Sequence, residues 1–318
     1  MSAGRDGRLS RRELLRAGAW AGLGASVLPR GLLASEASLP LITKPIPATG
    51  ERLSVIGVGA DQFGRMAYGD VRDMLKRMRK LGGTVIDTAA AYGDSEVQIG
   101  KALGELHQAR RMFIATKLNA PGTSVDGTQR FVGGLESFER SLQRLRRLDL
   151  LFVHDIRWAG SMMPILEELK KKGRVRYIGV TSIWPEQYPQ LIRYIREYPM
   201  DFLQINYALN ERGAEAEILP LAQERRIAVM AAVPFGGDKN SLLAQVGDRQ
   251  LPEWAADYDI ASWGQFFLKY VVSHPAITCA IPGSSKLAHL EDNQAAGRGR
   301  LPDAAARRMM EDYWAGKA

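Results

Sequence analysis

Eight short apolar runs, each followed by a segment with helical periodicity, constrain this chain more than any other feature of its sequence. The runs span residues 54–58, 84–87, 112–117, 150–154, 175–180, 202–206, 227–232 and 277–281. They are mostly apolar rather than alternating, as strands are when both faces of a sheet are covered, and that implies parallel strands. The covering elements follow from the amphipathic segments 71–81, 95–106, 132–147, 162–172, 185–197, 214–224, 261–274 and 286–296. Eight strands with seven intervening helices and one following helix are the count of a (β/α)8 TIM barrel, an α/β fold. Residues 301–318 predict one extra C-terminal helix. Ser95 and Ser182 are read as N-caps of the helices after them. No Pro/Gly/Ser-rich linker interrupts the chain after residue 40, so residues 38–318 are expected to form a single barrel domain. The doubly wound alternative lacks its glycine fingerprint, because Gly57-Val58-Gly59 and Gly22-Leu23-Gly24 have no third glycine at the required place.

Composition excludes several classes of chemistry. The lone cysteine, Cys279, cannot close an intramolecular disulfide, and with the scattered histidines His107, His154, His274 and His289 it supplies no metal framework; no HExxH or CxxC motif occurs. The formal charge of the chain is +8; residues 1–37 hold six Lys/Arg against three Asp/Glu, which leaves +5 on the remainder. No basic run is interleaved with stacking aromatics, so no nucleic acid partner is expected. The cluster Lys170-Lys171-Lys172-Gly173-Arg174 falls at a helix end, where cations complement the dipole.

In such barrels chemistry collects at the C-terminal ends of the strands. There the sequence places Asp87, Lys117, His154, Thr181 with Ser182, Gln204 with Asn206, and Ser284 with Ser285, while Tyr92 follows Asp87 in the loop TAAAYGDSE. Asp87 and Lys117 on neighbouring strands suit an ion pair, since charges this near a barrel mouth are partly desolvated. A pair that merely closes the barrel is the structural alternative for any one of these groups. Four of them on successive strand ends favour a site.

The segments GGTVIDTAAAYGDSEVQIGKAL, IATK, LDLLFVHD, RYIGVTS, LQINYALNE and CAIPGSSKLAHLEDN, in that order over about residues 52–296, resemble the aldo-keto reductase superfamily. The resemblance implies a metal-free NAD(P)H-dependent enzyme that reduces aldehydes or ketones to alcohols, with NADP(H) preferred and NAD(H) the alternative. It implies a catalytic set of Asp87, Tyr92, Lys117 and His154. Tyr92 is the general acid, Lys117 stabilises its tyrosinate, Asp87 anchors the lysine, and His154 orients the carbonyl and assists proton transfer. The cofactor contacts implied are Thr181, Ser182 and Gln204 at the nicotinamide amide, and Pro234, Phe235 and Gly236 across the pyrophosphate. Ser284, Lys286 and His289 then serve the adenosine phosphate, and Asp292 with Asn293 the adenine. Two departures stand out. Thr181-Ser182 replaces the usual Ser-Asn, and Ala232 stands where many members stack an aromatic under the nicotinamide. Phe63, Trp158 and Trp184, just beyond strand ends, are candidate walls of the substrate pocket, and Arg157 is either a carboxylate receptor or a solvated side chain.

Residues 1–37 read as a cleavable signal. Five arginines lie within the first 16 residues, and the run 17–28 (AGAWAGLGASVL) is too short for the roughly 20 residues that span a bilayer, so no stable membrane insertion is expected. Ser10-Arg11-Arg12-Glu13-Leu14-Leu15 resembles the twin-arginine (Tat) export motif, with Arg30 beyond the apolar run and cleavage after Ala37. The expected partners are the Tat translocase and a small carbonyl substrate. The expected destination is the periplasm or another exported location, with a cytoplasmic stage before export. Export keeps a second function in view, an NADP(H)-retaining binding or sensor protein with little turnover.

Overall fold

The computed structural model describes residues 39–119, 133–237 and 240–317; the expected signal peptide lies outside them. The described chain starts with an antiparallel hairpin, β1 (Thr43–Pro45) and β2 (Arg52–Ser54), which the apolar pattern does not announce. Eight strands follow in chain order: β3 (Val58–Gly59), β4 (Val85–Asp87), β5 (Phe113–Leu118), β6 (Leu150–Val153), β7 (Tyr177–Ser182), β8 (Phe202–Asn206), β9 (Ala228–Ala232) and β10 (Ile277–Ala280). Each pairs in parallel with its sequence neighbours. Backbone bonds between the two edges close the ring: Gly57 donates to the Ala280 carbonyl at 2.8 Å and Gly59 to that of Pro282 at 3.0 Å. This is the expected (β/α)8 barrel in a single domain.

The first expected strand, 54–58, is divided. Ser54 ends the hairpin and Val58 begins the barrel strand. The chain bends between them because Gly57 lies against its neighbour, where a Cβ would sit 2.8 Å from the Val85 carbonyl oxygen. Around the strands run α1 (Tyr68–Lys80), α2 (Ser95–Glu105), α3 (Gly134–Leu145), α4 (Ala159–Lys171), α5 (Tyr188–Glu197), α6 (Ile218–Glu224), the short α7 (Leu242–Gln245), α8 (Trp263–Ser273) and α9 (Leu287–Ala295). The longer of them lay apolar stripes on the core, as Leu191, Tyr194 and Ile195 do on α5 at three- and four-residue spacing. The extra C-terminal helix is α10 (Ala304–Trp314), capped by Asp303, whose carboxylate accepts from the Ala306 amide at 2.9 Å. Buried Arg307 anchors it by donating to the Tyr207 hydroxyl at 2.7 Å and to Glu215 at 3.1 Å.

Neither expected serine is a cap. Ser95 is the first helical residue of α2 and its hydroxyl donates to the Ala60 carbonyl at 2.8 Å, tying the helix to the loop after β3. Ser182 ends β7 and donates to Gln187 at 2.9 Å. Inside the barrel, Phe113, Phe152, Tyr177, Phe202 and Met230 fill the lower layers, and Ile46 and Leu53 from the hairpin complete the same cluster. Ile46 is fully buried and plugs the end opposite the strand C-termini, so it belongs to the core even though the hairpin lies outside the barrel. Replacing it with Ala should cost about 3 kcal/mol through lost burial and a residual cavity, read as a lower urea midpoint at unchanged slope; a loss below about 1 kcal/mol would show that the hairpin does not seal the barrel.

Candidate active site

The C-terminal ends of the strands open into a cavity of about 910 Å³, a size typical of ligand and cofactor sites. In-register pairing sets its floor: Gly59 is opposite Asp87 and Thr181 is opposite Gln204. Asp87, the last residue of β4, and Lys117 on β5 are both buried. Lys117 Nζ donates to Asp87 Oδ2 at 2.6 Å and to the Thr88 carbonyl at 2.9 Å. The other carboxylate oxygen accepts from Gln204 Nε2 at 2.8 Å, and Gln204 Oε1 in turn accepts from the Thr181 hydroxyl at 3.3 Å. Every polar atom of this cluster named here has a partner, which is the condition for holding charge in a dry interior. Burial pulls the Lys117 ammonium down, but Asp87 and the Tyr92 oxygen outweigh it and leave the lysine above its ordinary value, hence charged.

Tyr92, in the loop before α2, lies with its ring centroid 5.0 Å from Lys117 Nζ. Burial pushes its phenol up; Lys117 opposes that, Asp87 and Asp61 add to it, and the net direction is upward. The stabilisation of tyrosinate expected from Lys117 is thus present and outweighed. His154 follows β6 and meets Tyr92 edge-on, ring centroids 5.7 Å apart at 82°. Burial, reinforced by the nearby Lys117 charge, pushes its imidazole down to about 3. It is therefore neutral at ordinary pH. Among the described residues its Nδ1 has no partner, nor has Nδ2 of buried Asn119, and both residues line the cavity.

Among the expected cofactor contacts, Thr181, Ser182, Gln204, Pro234, Phe235 and Gly236 all line the cavity. Gly236 is in the left-handed region at φ 75°, where a Cβ would collide with the Asn240 carbonyl. The adenosine-side group lies apart. Ser284, Lys286, His289, Asp292 and Asn293 do not border the cavity. Lys286 and His289 are exposed at the start of α9, while buried Asn293 donates to Ser284 Oγ at 2.9 Å. The Asp292 carboxylate accepts from Ser262 at 2.7 Å and Gln265 at 2.8 Å, so it organises the N-terminus of α8 rather than standing open for adenine.

Of the expected substrate walls, Trp158 and Trp184 line the cavity and stay 42% and 56% exposed, open to a ligand. Phe63 does not; it is fully buried in the core beneath α1 and α2 and is corrected to a packing residue. The cavity also has walls the sequence reading passed over: Asp61, Asn119, Ile183, Gln187 and Ile281. Asp61 and Asn119 follow β3 and β5 by two residues and one, so only their position past a strand end marks them in the sequence. Among the described residues no group of three or more His, Cys, Asp or Glu could hold a metal ion, and no helix is long and apolar enough to cross a membrane.

Comparison with known proteins agrees with this geometry. The profile of the Aldo/keto reductase family matches residues 55–311. Methylglyoxal reductase YeaE of Escherichia coli (strain K12) is 30% identical over 231 residues, 68% of this chain and 75% of that protein. The aldo-keto reductase AKR11C1 of Bacillus halodurans, in its holo form, superposes with a TM-score of 0.67 at 22% identity, covering 88% of this chain and 98% of that one. An aldo-keto reductase from Klebsiella pneumoniae in complex with NADPH gives 0.65 at 24% identity over 86% and 96% of the two chains.

The cluster itself is testable. Lys117→Met alone, or Asp87→Asn alone, leaves a buried group without its partner and should cost about 3–5 kcal/mol of stability. The double variant should recover most of that loss in urea unfolding while remaining inactive; a double variant as unstable as either single one would contradict a coupled pair.

Proposed function

Because the chain belongs to the aldo/keto reductase family and is an NAD(P)H-dependent oxidoreductase, we propose that it reduces aldehydes or ketones at the barrel mouth with Tyr92 as the proton donor and NADP(H) as the preferred cofactor. One observation carries the reading: the Tyr92 phenol, held protonated by burial, lies over a buried lysine that Asp87 keeps charged. The cavity residues fit a nicotinamide group. The Nδ atoms of Asn119 and His154, without a partner among the described residues, and the side-chain-free backbone at Gly236 leave room and unused polar atoms at one mouth. Thr181, Ser182 and Gln204 would hold the amide end, Pro234 to Gly236 the pyrophosphate, and Ser284, Lys286 and His289 the far phosphate, where the start of α9 favours an anion. When bound, the cofactor supplies the hydride equivalent for the carbonyl carbon.

The chain's own residues account for the proton. Tyr92 donates it to the carbonyl oxygen as negative charge develops there. Lys117 then faces the tyrosinate at close range in a dry site, which lowers the cost of forming it. Asp87 keeps the lysine charged and, through Gln204, fixed in place. His154, neutral, orients the carbonyl by a hydrogen bond and has no imidazolium proton to give. This narrows the proton-transfer assistance expected of it to polarisation.

We further propose export by the twin-arginine route, supported by Ser10-Arg11-Arg12-Glu13-Leu14-Leu15 and the apolar run after it. That route carries folded proteins, so the cofactor can be loaded in the cytoplasm before release to the periplasm. Replacing both Arg11 and Arg12 with Lys should hold the protein in the cytoplasmic fraction; unchanged export would remove this proposal.

Carbonyl-dependent NADPH consumption should fall by about 10²–10⁴-fold in Tyr92→Phe, the usual contribution of a positioned acid, while NADPH binding followed by fluorescence is retained. Reduction should stay flat between about pH 6 and 9 with no inflection near the ordinary histidine value, because His154 titrates far below that range and Tyr92 above it. Alcohol oxidation, which needs the tyrosinate, should rise with pH. Tight NADPH binding without consumption of it by any reactive aldehyde would favour the binding or sensor reading instead.

A further inference from the structure

Three carboxylates border the cavity, and two of them are matched. Asp87 is paired with Lys117 at 2.6 Å. Asp155 is paired with Arg157, whose Nε donates to both carboxylate oxygens, at 3.0 and 2.8 Å, and whose Nη2 adds a further bond. The guanidinium that could have received a substrate carboxylate is thus already engaged. The third carboxylate, Asp61, makes no ion pair among the described residues; Gln62 Nε2 donates to its Oδ2 at 2.6 Å. Its Oδ1 lies beside Gly283, where a Cβ would stand 3.2 Å away, and both residues line the cavity, Asp61 being exposed. With His154 neutral, the lining carries one uncompensated negative charge. That charge reaches the reacting centre, since Asp61 is among the groups that, after burial, hold the Tyr92 phenol protonated.

We propose that Asp61 is a specificity-determining residue that acts as a charge filter, admitting neutral or cationic carbonyl compounds and rejecting those with a carboxylate or phosphate close to the carbonyl. The proposal rests on the reductase reading and deepens it. Asp61 is exposed at the rim of the cavity, where an unpaired negative charge disfavours the approach of a second anion, and a repulsive element is an economical way to reject one class of ligand without tightening another. Trp158 and Trp184 offer the accepted class an apolar surface whose ring faces attract cations rather than anions.

The test compares 4-carboxybenzaldehyde with its methyl ester, a pair matched in ring and reacting group and differing in charge, at saturating NADPH with the full-length chain. The wild type should favour the ester in kcat/KM by about tenfold or more, the size of one modest interaction lost. Asp61→Asn should bring the two within about twofold by raising the rate on the acid more than on the ester, and Asp61→Glu should restore the discrimination. NADPH affinity, measured separately by fluorescence, should be unchanged in both variants. Equal rates on acid and ester in the wild type, or preference for the acid, would overturn the filter while leaving the reductase standing. A large change in NADPH affinity at an unchanged acid-to-ester ratio would overturn it too, by making Asp61 a cofactor residue. No turnover of either aldehyde would overturn the reductase reading, and the filter with it.

Discussion

The ion pair between Asp87 and Lys117 is the constraint on which the upper half of the barrel depends. Separating two charges from water is costly, and here both are buried, between a barrel interior filled by Phe113, Phe152 and Phe202 and the cavity that the pair lines. The pair survives by being fully bonded. Lys117 meets a carboxylate and a backbone carbonyl, Asp87 meets an ammonium and an amide, and that amide is steadied by Thr181. These bonds join β4, β5, β7 and β8 across the barrel mouth, so the same cluster that keeps a lysine charged beside Tyr92 fixes four strand ends relative to one another. Catalytic electrostatics and barrel geometry are one arrangement here, and neither could be relaxed without the other.

Legibility in the sequence follows the range of the forces involved. The strands and helices were readable because burial on both faces leaves continuous apolar runs and one-sided burial leaves helical periodicity, both local patterns. Asp87, Lys117, His154 and Gln204 were readable because strand ends in such a barrel are where polar residues are otherwise unexpected. The β1–β2 hairpin was not, since three-residue strands carry no period and Ile46 is buried only because the barrel has an open lower end to receive it. Phe63 was misplaced for a related reason: a residue just past a strand faces either the mouth or the nearest helix, and only packing against α1 and α2 decides. Asp292 and Asn293 occupy the expected segment, yet their side chains serve Ser262, Gln265 and Ser284, partners set by tertiary contact.

The sign of the shift at Tyr92 was also out of reach. A neighbouring cation argues for a lowered phenol, and burial argues for a raised one; only the depth of the cleft says which is larger. The outcome suits a proton donor. If Tyr92 is the proton donor proposed above, the nearby Lys117 charge favours the tyrosinate left after transfer over the resting phenol, and a difference of that kind is what accelerates a reaction.

The remaining departure lies under the cavity, where Ala232 leaves no flat ring to lie against. The structure puts an aliphatic surface there instead, from Ala232, Val233, Ile281 and Ile183. Val233 reaches it from a left-handed backbone, φ 51°, a conformation that costs a β-branched residue on the order of 1–3 kcal/mol. Strain of that size persists only where the surroundings impose it. The next residue, Pro234, fixes its own backbone angle, and the Leu242 amide donates to the Phe235 carbonyl at 2.7 Å, so the segment is held from both sides. An aliphatic floor excludes water and packs against a flat ring without the directional preference of an aromatic partner. On the cofactor placement proposed above, orientation of the nicotinamide ring would fall to the hydrogen-bonding groups at its edge, which would give Thr181, Ser182 and Gln204 a larger share of that task than they would carry above an aromatic platform.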